Sequence, residues 1–423
     1  MHINTIFLKN FRGFSEKQFE FNDQFNVLIG DNGTGKTAIL EGIAAAISPF
    51  LYGFESRNLR PLKKDDIRYL DYKLSREQSI GMGIEATGII NNKSLSWSIT
   101  REKRDWGFVK ENTSELKSTS KEMLLKVSQN TKVVLPVFAY HGTGRLWKES
   151  VSKVNPKAKG SRLEGYNQCL DPNSGLKDFS RWMKTMEMAF LQNTIESFYV
   201  ETIQKAIAKC LEGWDNVYYD IREDELMAEN GKRGQGNRLP YHLLSDGQKN
   251  IIGMVADIAW RCITLNPDLG RDATKESPGI VLVDELDLHL HPNWQRHIVN
   301  DLKTTFPKIQ FVVTTHSPFI VQSLKSEELI NLDNASALLD EDPDRYSIEE
   351  ISAQEMGVSN VERSETFLKM QDEAKEFFAL IKSSNDNTAI KKAKAKLDEL
   401  RMRYNNDPAY VALLESELPK ENS

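Results

Sequence analysis

The run Gly30-Asp31-Asn32-Gly33-Thr34-Gly35-Lys36-Thr37 has the spacing GxxxxGK[ST]. Its glycines let consecutive backbone N–H groups curl around a phosphate, while a lysine and a hydroxyl stand at the end of the loop. On this reading Gly30 through Ala38 hold a nucleoside triphosphate, with Lys36 reaching its β and γ oxygens and Thr37 ligating Mg2+. Far downstream, Gly279-Ile280-Val281-Leu282-Val283-Asp284-Glu285 is an apolar strand ending in two acids. That order puts Asp284 beside the metal and Glu285 where it can polarise an attacking water. Phe311-Val312-Val313-Thr314-Thr315-His316 is a second such strand, delivering His316 at the edge where α/β sheets place ligand groups. A strand-end acid or histidine alone is commonly structural; it is their order behind the glycine loop that assigns them, with His316 directed to the γ-phosphate.

The elements that must position these residues are legible in the hydrophobic pattern. His2 to Gly30 reads as strands, and from Thr37 the period becomes helical through Ile39, Ile43 and Ile47, with Pro49 as the expected stop. Strand, glycine loop and helix in succession are the context the phosphate motif requires. Two strands are predicted around the turn at Asn91-Asn92-Lys93, and a buried strand over Val133 to Tyr140. The polar stretch from Lys148 to Asn173 predicts a long surface loop. Asp178 to Gly213 predicts one long helix or a helical pair, and Val217 to Ile221 a strand before the turn-rich Asn230 to Arg238. Charged helices are expected over Glu362 to Ile381 and Thr388 to Tyr404, with Phe367, Met370, Ala374, Phe377, Phe378 and Ile381 on one face.

The chain has 423 residues, 39% of them apolar, enough for a large core in two or three lobes. Its net charge of −6 means that any nucleic-acid contact comes from a local basic groove and not from bulk attraction. Cys169, Cys210 and Cys262 lack metal or disulfide spacing, which implies reduced thiols. No apolar run approaches the roughly 18 residues of a membrane span, and Lys9, Asn10 and Arg12 interrupt the early hydrophobics where a signal would lie. A cytoplasmic protein without a membrane contact is expected.

Leu244-Ser245-Asp246-Gly247-Gln248 opens a helix that continues through Ile251, Ile252, Val255 and Ile258. These residues resemble the LSGGQ signature of ATP-binding cassette proteins, with Asp246 replacing the first glycine. The resemblance implies that Leu244 to Gln248 of one subunit meets the γ-phosphate held by another, two protomers enclosing two nucleotides. Contacts made to the γ-phosphate by both subunits vanish on hydrolysis, so ATP would close the dimer and hydrolysis loosen it. The opening Ile6 to Phe14 resembles the first strand of SMC, RecF and related ATPases, which implies that Arg12 approaches the nucleotide and argues against a transporter subunit. Glu285 to Pro292 resembles the segment after the Walker B acids in OLD-like and RecF-like ATPases. That implies a D-loop role for Asp287, facing the dimer partner, and structural roles for His289 and His291, whose i, i+2 spacing could otherwise present a metal pair. The family's glutamine loop is not evident, and the nearest candidates are His141 or Arg145. No pattern of a C-terminal nuclease domain follows His316. The stretch Leu135 to Trp147 and this domain content resemble the PtuA family of Septu and retron antiphage systems, which implies a PtuB-like HNH endonuclease partner.

The expected fold is therefore α/β, an ABC-ATPase head with RecF/SMC-like mixed sheets around the P-loop core, an inserted helical lobe and a C-terminal helical hairpin. The expected division is 1–150 for the N-terminal half of the core, 151–240 for the inserted loop and helical lobe, 241–335 for the second half, and 336–423 for oligomer or partner contacts. The expected activity is hydrolysis of ATP with Mg2+, in a dimer or higher even oligomer that regulates a nuclease. The alternative is a RecF/SMC-like repair clamp on DNA, with Arg101, Lys103, Arg104, Lys153, Lys157, Lys159 and Arg162 on phosphates. A third reading, ATP as a structural ligand that scarcely turns over, is opposed by Glu285.

Overall fold

The computed structural model describes residues 1–54, 59–71, 75–101, 109–146, 161–172, 177–192, 198–211, 213, 214, 216–231, 236–333, 341–358 and 399. His2–Phe11 (β1) buries Ile3, Ile6, Leu8 and Phe11 and pairs antiparallel with Phe14–Glu20 (β2). Phe25–Ile29 (β3) is buried along its whole length. It runs into the glycine loop and then Lys36–Tyr52 (α1). The helix passes through Pro49 instead of stopping there. A proline inside a helix costs about 3 kcal/mol, whereas burying the Phe50 and Leu51 side chains in the final turn contributes about 1.5–3 kcal/mol each. Packing therefore outweighs the lost hydrogen bond.

Tyr69–Asp71 (β4) and Arg76–Gln78 (β5) form a short ribbon. Met82–Ile90 (β6) and Lys93–Arg101 (β7) make the expected hairpin. Asn91 and Asn92 both take positive φ, 50° and 62°, as a two-residue hairpin turn demands. Val109–Asn112 (β8) completes an antiparallel sheet in the order β2-β1-β6-β7-β8. Ser114–Ser128 (α2) and the buried Val137–His141 (β9) follow.

Of the expected surface loop, residues 161–172 are described, and they turn inward. Arg162–Tyr166 forms a 3-10 turn; Tyr166, Cys169 and Leu170 are buried, and the Tyr166 hydroxyl donates to the Pro136 carbonyl at 2.9 Å. Three apolar side chains scattered among polar ones have no periodicity, so the pattern hides this packing. The expected helical pair is Lys177–Leu191 (α3) and Phe198–Cys210 (α4). Asn216–Asp220 (β10), Glu225–Glu229 (β11) and Arg238–Pro240 (β12) form a second antiparallel sheet.

The rest of the chain gives Asp246–Leu265 (α5), Ala273–Glu276 (α6), Gly279–Val283 (β13), Pro292–Gln295 (α7), Ile298–Thr305 (α8), Ile309–Thr314 (β14), Pro318–Val321 (α9), Leu329–Asn331 (β15) and Ile348–Gln354 (α10). The charged helices expected over Glu362 to Ile381 and Thr388 to Tyr404 lie outside the described residues. Residues 1–357 make one compact unit and 358–423 a second.

The sheet that positions the chemistry is parallel, in the order β15-β3-β14-β13-β9. Its carboxyl edge carries Gly30 after β3, Asp284 after β13, Thr315 after β14 and Leu332 after β15, and ligand sites of parallel sheets form at that edge. Helix α1 packs on β14 and also on β1 and β6 of the antiparallel sheet. Trp97 of β7 donates its indole N–H to the Ala46 carbonyl at 2.9 Å, fixing the helix from the antiparallel side. Cys169, Cys210 and Cys262 are free and buried, and burial pushes each thiol up to about 12. No helix among the described residues is long and apolar enough to cross a membrane.

Candidate functional site

Gly30 adopts φ 146°, and a Cβ there would lie 2.9 Å from the Thr34 hydroxyl. Gly35 adopts φ 103°, with a Cβ position 2.6 Å from the Phe14 ring. Both positions therefore exclude a side chain, and together they bend the loop into the start of α1. That helix has no side-chain cap, so its first N–H groups are available to an anion. Lys36 folds back along the loop and donates to the Gly30 carbonyl at 2.6 Å and the Asp31 carbonyl at 3.0 Å. Burial pushes Lys36 below the ordinary lysine value, against the pull of Asp333, Asp284, Asp31 and Glu285. A phosphate arriving beside it would favour the charged ammonium.

The acids at the end of β13 meet the loop directly. The Thr37 hydroxyl donates to Asp284 Oδ2 at 2.9 Å, and the Thr314 hydroxyl donates to Asp284 Oδ1 at 2.7 Å. Thr314 also accepts the Glu285 backbone N–H at 2.7 Å, and Glu285 takes φ 50°. One threonine on β14 thus orients both consecutive acids. The Thr37 hydroxyl and the Asp284 carboxylate form an oxygen-only pair of the kind a hard cation such as Mg2+ takes. Asp287 accepts from the Thr315 hydroxyl at 2.5 Å and from the His316 backbone N–H at 3.2 Å. The segment after β13 therefore holds the loop that presents His316, whose side chain is exposed.

Leu244 to Gln248 begins α5 through a reciprocal cap. Gln248 Oε1 accepts the Ser245 backbone N–H at 2.9 Å, and Ser245 Oγ accepts the Gln248 N–H at 3.4 Å. The serine-x-x-glutamine spacing is thus a capping box; Leu244 is buried, while Ser245 and Asp246 stay exposed. Gly247 is needed sterically, because a Cβ there would stand 2.4 Å from the His289 carbonyl oxygen. Gly247→Ala is expected to push these two segments apart and to cost about 1–3 kcal/mol. Asp246→Gly, at an exposed position whose side chain bonds nearby Lys249 at 3.4 Å, should shift stability far less; urea unfolding of the two variants checks the contrast.

The other candidates divide. His291 caps α7, its Nδ1 accepting the Asn293 N–H at 3.3 Å, while His289 is exposed; among the described residues no cluster of three or more His, Cys, Asp or Glu side chains with the geometry to hold a metal ion includes either of them. The His141 ring is buried, with Nε2 3.5 Å from Asp257 Oδ2 on α5. Asp257 also binds Arg261 at 2.8 Å, so this ring belongs to the packing of α5. The side chain of Arg145 lies outside the described residues, as do Lys103, Arg104, Lys153, Lys157 and Lys159. Arg162 does not form a basic surface: its guanidinium donates to the Leu265 carbonyl at 2.7 Å and the Val133 carbonyl at 2.9 Å. It staples the inward-turned segment to the core.

Arg12 takes φ 49° and stands 3.2 Å from Asp66 Oδ1 and 3.6 Å from Glu41 Oε2. Arg60 joins the same group, bonded to Glu41 and to both oxygens of Asp66. Sequence reasoning finds Arg12 and misses the other three members of this group, its partners Asp66 and Glu41 and the second cation Arg60, since Arg60 and Asp66 sit in an irregular stretch and Glu41 on a helix. It also misses Phe14, Thr314 and Asp333. Only the repeated threonine before His316 signals in the sequence that β14 ends in a polar fixture.

A family model described as "AAA domain" matches residues 5–213, and a second, described as "AAA domain, putative AbiEii toxin, Type IV TA system", matches residues 218–322. The chain is an AAA-domain ATPase. The first match contains Arg12 and the phosphate loop, and the second contains Ser245, Asp284, Glu285 and His316. "Retron Vc95 probable ATPase" of Vibrio cholerae serotype O1 biovar El Tor is 28% identical to this ATPase over 388 residues, covering 78% of this chain and 73% of that one. "Septu protein PtuA" of Bacillus thuringiensis is 26% identical over 363 residues, covering 81% of this chain and 78% of that one. Among solved structures, an SMC head bound to the C-winged helix domain of ScpA is 17% identical, covers 77% of this chain and 93% of its own, and superposes with a TM-score of 0.48.

Proposed function

We propose that this ATPase hydrolyses Mg-ATP as the regulatory subunit of an antiphage defence complex, dimerising around nucleotide and controlling a partner HNH nuclease. The observation that carries the catalytic part is the Thr37–Asp284 bond of 2.9 Å, which joins the phosphate loop to the acids of β13. Thr37 and Asp284 would hold Mg2+ there, and the ion would offset phosphate charge when bound. Lys36 and the uncapped start of α1 bind the triphosphate. Glu285, oriented by Thr314, accepts the proton of the attacking water as the bond between the γ-phosphorus and the leaving ADP oxygen breaks. His316 contacts the γ-phosphate. Ser245 and Asp246, exposed on their capping box, meet the nucleotide of a second subunit, with Asp287 near the same interface.

The defence setting is supported by the likeness to the retron and Septu ATPases, which extends over most of the chain. The partner nuclease is inferred from the resemblance of Leu135 to Trp147 to the PtuA family. Affinity capture of the chain expressed from its native operon, with ATP and with ADP, followed by native mass measurement, tests the reading. A stoichiometric HNH nuclease whose assembly changes with nucleotide is the expected result. A lone ATP-dependent dimer that retains DNA would overturn it in favour of a repair-type clamp.

A further inference from the structure

The peptide between Gly30 and Asp31 is gripped from both sides. Its carbonyl accepts the Lys36 ammonium at 2.6 Å, and its N–H donates to Asp333 Oδ2 at 2.7 Å. Asp333 lies three hundred residues downstream in sequence, yet the parallel pairing of β15 with β3 brings it here: Asn331 is in register with Ile29, and the Leu332 N–H continues the ladder to the Ile29 carbonyl at 3.0 Å. Asn331 Oδ1 accepts the Asp333 N–H at 3.0 Å, and Asn331 Nδ2 donates to the Glu355 carbonyl at 2.8 Å beyond the end of α10. Asp333 is therefore held from behind by its own strand and by the chain after α10. The absent side chain at Gly30 leaves room for this approach, since a Cβ would lie 3.1 Å from the same carboxylate oxygen.

We propose that Asp333 is a positioning residue of the nucleotide site, fixing the Gly30–Asp31 peptide so that its carbonyl can seat Lys36. A peptide plane has a single rotational setting that serves both bonds. With Asp333 holding the N–H, the carbonyl remains turned toward Lys36, and the ammonium is preset for the phosphates. Released at the N–H, the peptide can rotate, and Lys36 loses the shorter of its two loop contacts. The carboxylate acts through Lys36 and the loop and touches no reacting atom. This inference rests on the reading of Gly30 to Thr37 as the phosphate site.

The test compares Asp333→Ala and Asp333→Asn in the full chain, with Lys36→Ala as the control for the underlying reading. Equilibrium titration with a fluorescent ATP analogue, steady-state phosphate release, and amide exchange at Asp31 without nucleotide are the readouts. Asp333→Ala is expected to weaken nucleotide binding about tenfold, the worth of one hydrogen bond to a charged group. It should raise KM in proportion, leave kcat at saturating ATP near the parent value, and speed exchange of the Asp31 amide. Asp333→Asn retains an acceptor oxygen and should restore both affinity and amide protection. Parental affinity in Asp333→Ala, or an asparagine variant as weak as the alanine one, would overturn the proposal. Unchanged binding in Lys36→Ala would instead overturn the phosphate-site reading itself, and the role of Asp333 with it.

Discussion

Glu285→Gln is expected to slow ATP turnover by about 10²- to 10⁴-fold, the usual worth of a general base, with nucleotide binding retained. Glutamine has nearly the same shape but cannot accept a proton from water. The backbone N–H of this residue remains bonded to Thr314 Oγ1 at 2.7 Å whichever side chain it carries, so the φ of 50° and the adjoining Asp284 should be undisturbed. The variant separates binding from chemistry. Phosphate release at saturating ATP should collapse, whereas titration with a fluorescent nucleotide should give the parent affinity. Because ATP would persist, any nucleotide-closed dimer should accumulate in native mass spectra. Turnover equal to that of the parent would remove Glu285 as the base. A loss of nucleotide affinity would show that the acid acts on binding and not on water.

The parts of this site that could be read in the sequence are those whose physics is local. The β3 strand, glycine loop and α1 helix announce themselves by a change of hydrophobic period at Thr37, and the helix opened by Leu244 to Gln248 by the spacing of Ile251, Ile252, Val255 and Ile258. Asn91-Asn92 marks its hairpin because both residues tolerate positive φ. The missing parts depend on the order in which strands lie side by side. Thr314 becomes the hinge of the acid pair only because β14 neighbours β13, and Asp333 reaches the phosphate loop only because β15 neighbours β3. Neither adjacency follows from chain order. Arg162 misleads for a related reason: in a lysine- and glycine-rich stretch a guanidinium looks solvated, but it finds the backbone carbonyls of Val133 and Leu265. Pro49 shows the converse, a strong local signal overridden by burial of Phe50 and Leu51.

The largest loss of stability is expected from Asp66→Ala. The Asp66 side chain is fully buried, and it accepts from Arg60 Nη1 at 2.5 Å, Arg60 Nη2 at 2.7 Å, the Lys63 N–H at 2.8 Å and Arg12 Nε at 3.2 Å. Removing the carboxylate leaves the buried guanidinium of Arg60 with Glu41 and, at 3.4 Å, the Pro61 carbonyl as its hydrogen-bond partners among the described residues, and breaking one side of a buried ion pair costs about 3–5 kcal/mol. Arg12, in left-handed backbone, would lose its nearer carboxylate as well. Burial by itself would raise the Asp66 carboxyl; the Arg60 hydrogen bonds and charge, the Lys63 N–H and the Arg12 charge outweigh it and hold the carboxyl below its ordinary value. A carboxylate depressed in the folded state contributes its full stability above the unfolded-state value and loses it as pH falls through the folded value. The parent should therefore weaken on the acid side of the normal aspartate range, and Asp66→Ala should lack that component of the acid limb. Urea unfolding of both proteins across that range measures it, and parallel curves would remove Asp66 as its source. Arg60→Met combined with Asp66→Leu takes away both charges and should recover much of the loss, because the penalty arises from a buried charge left uncompensated and not from the absence of the pair.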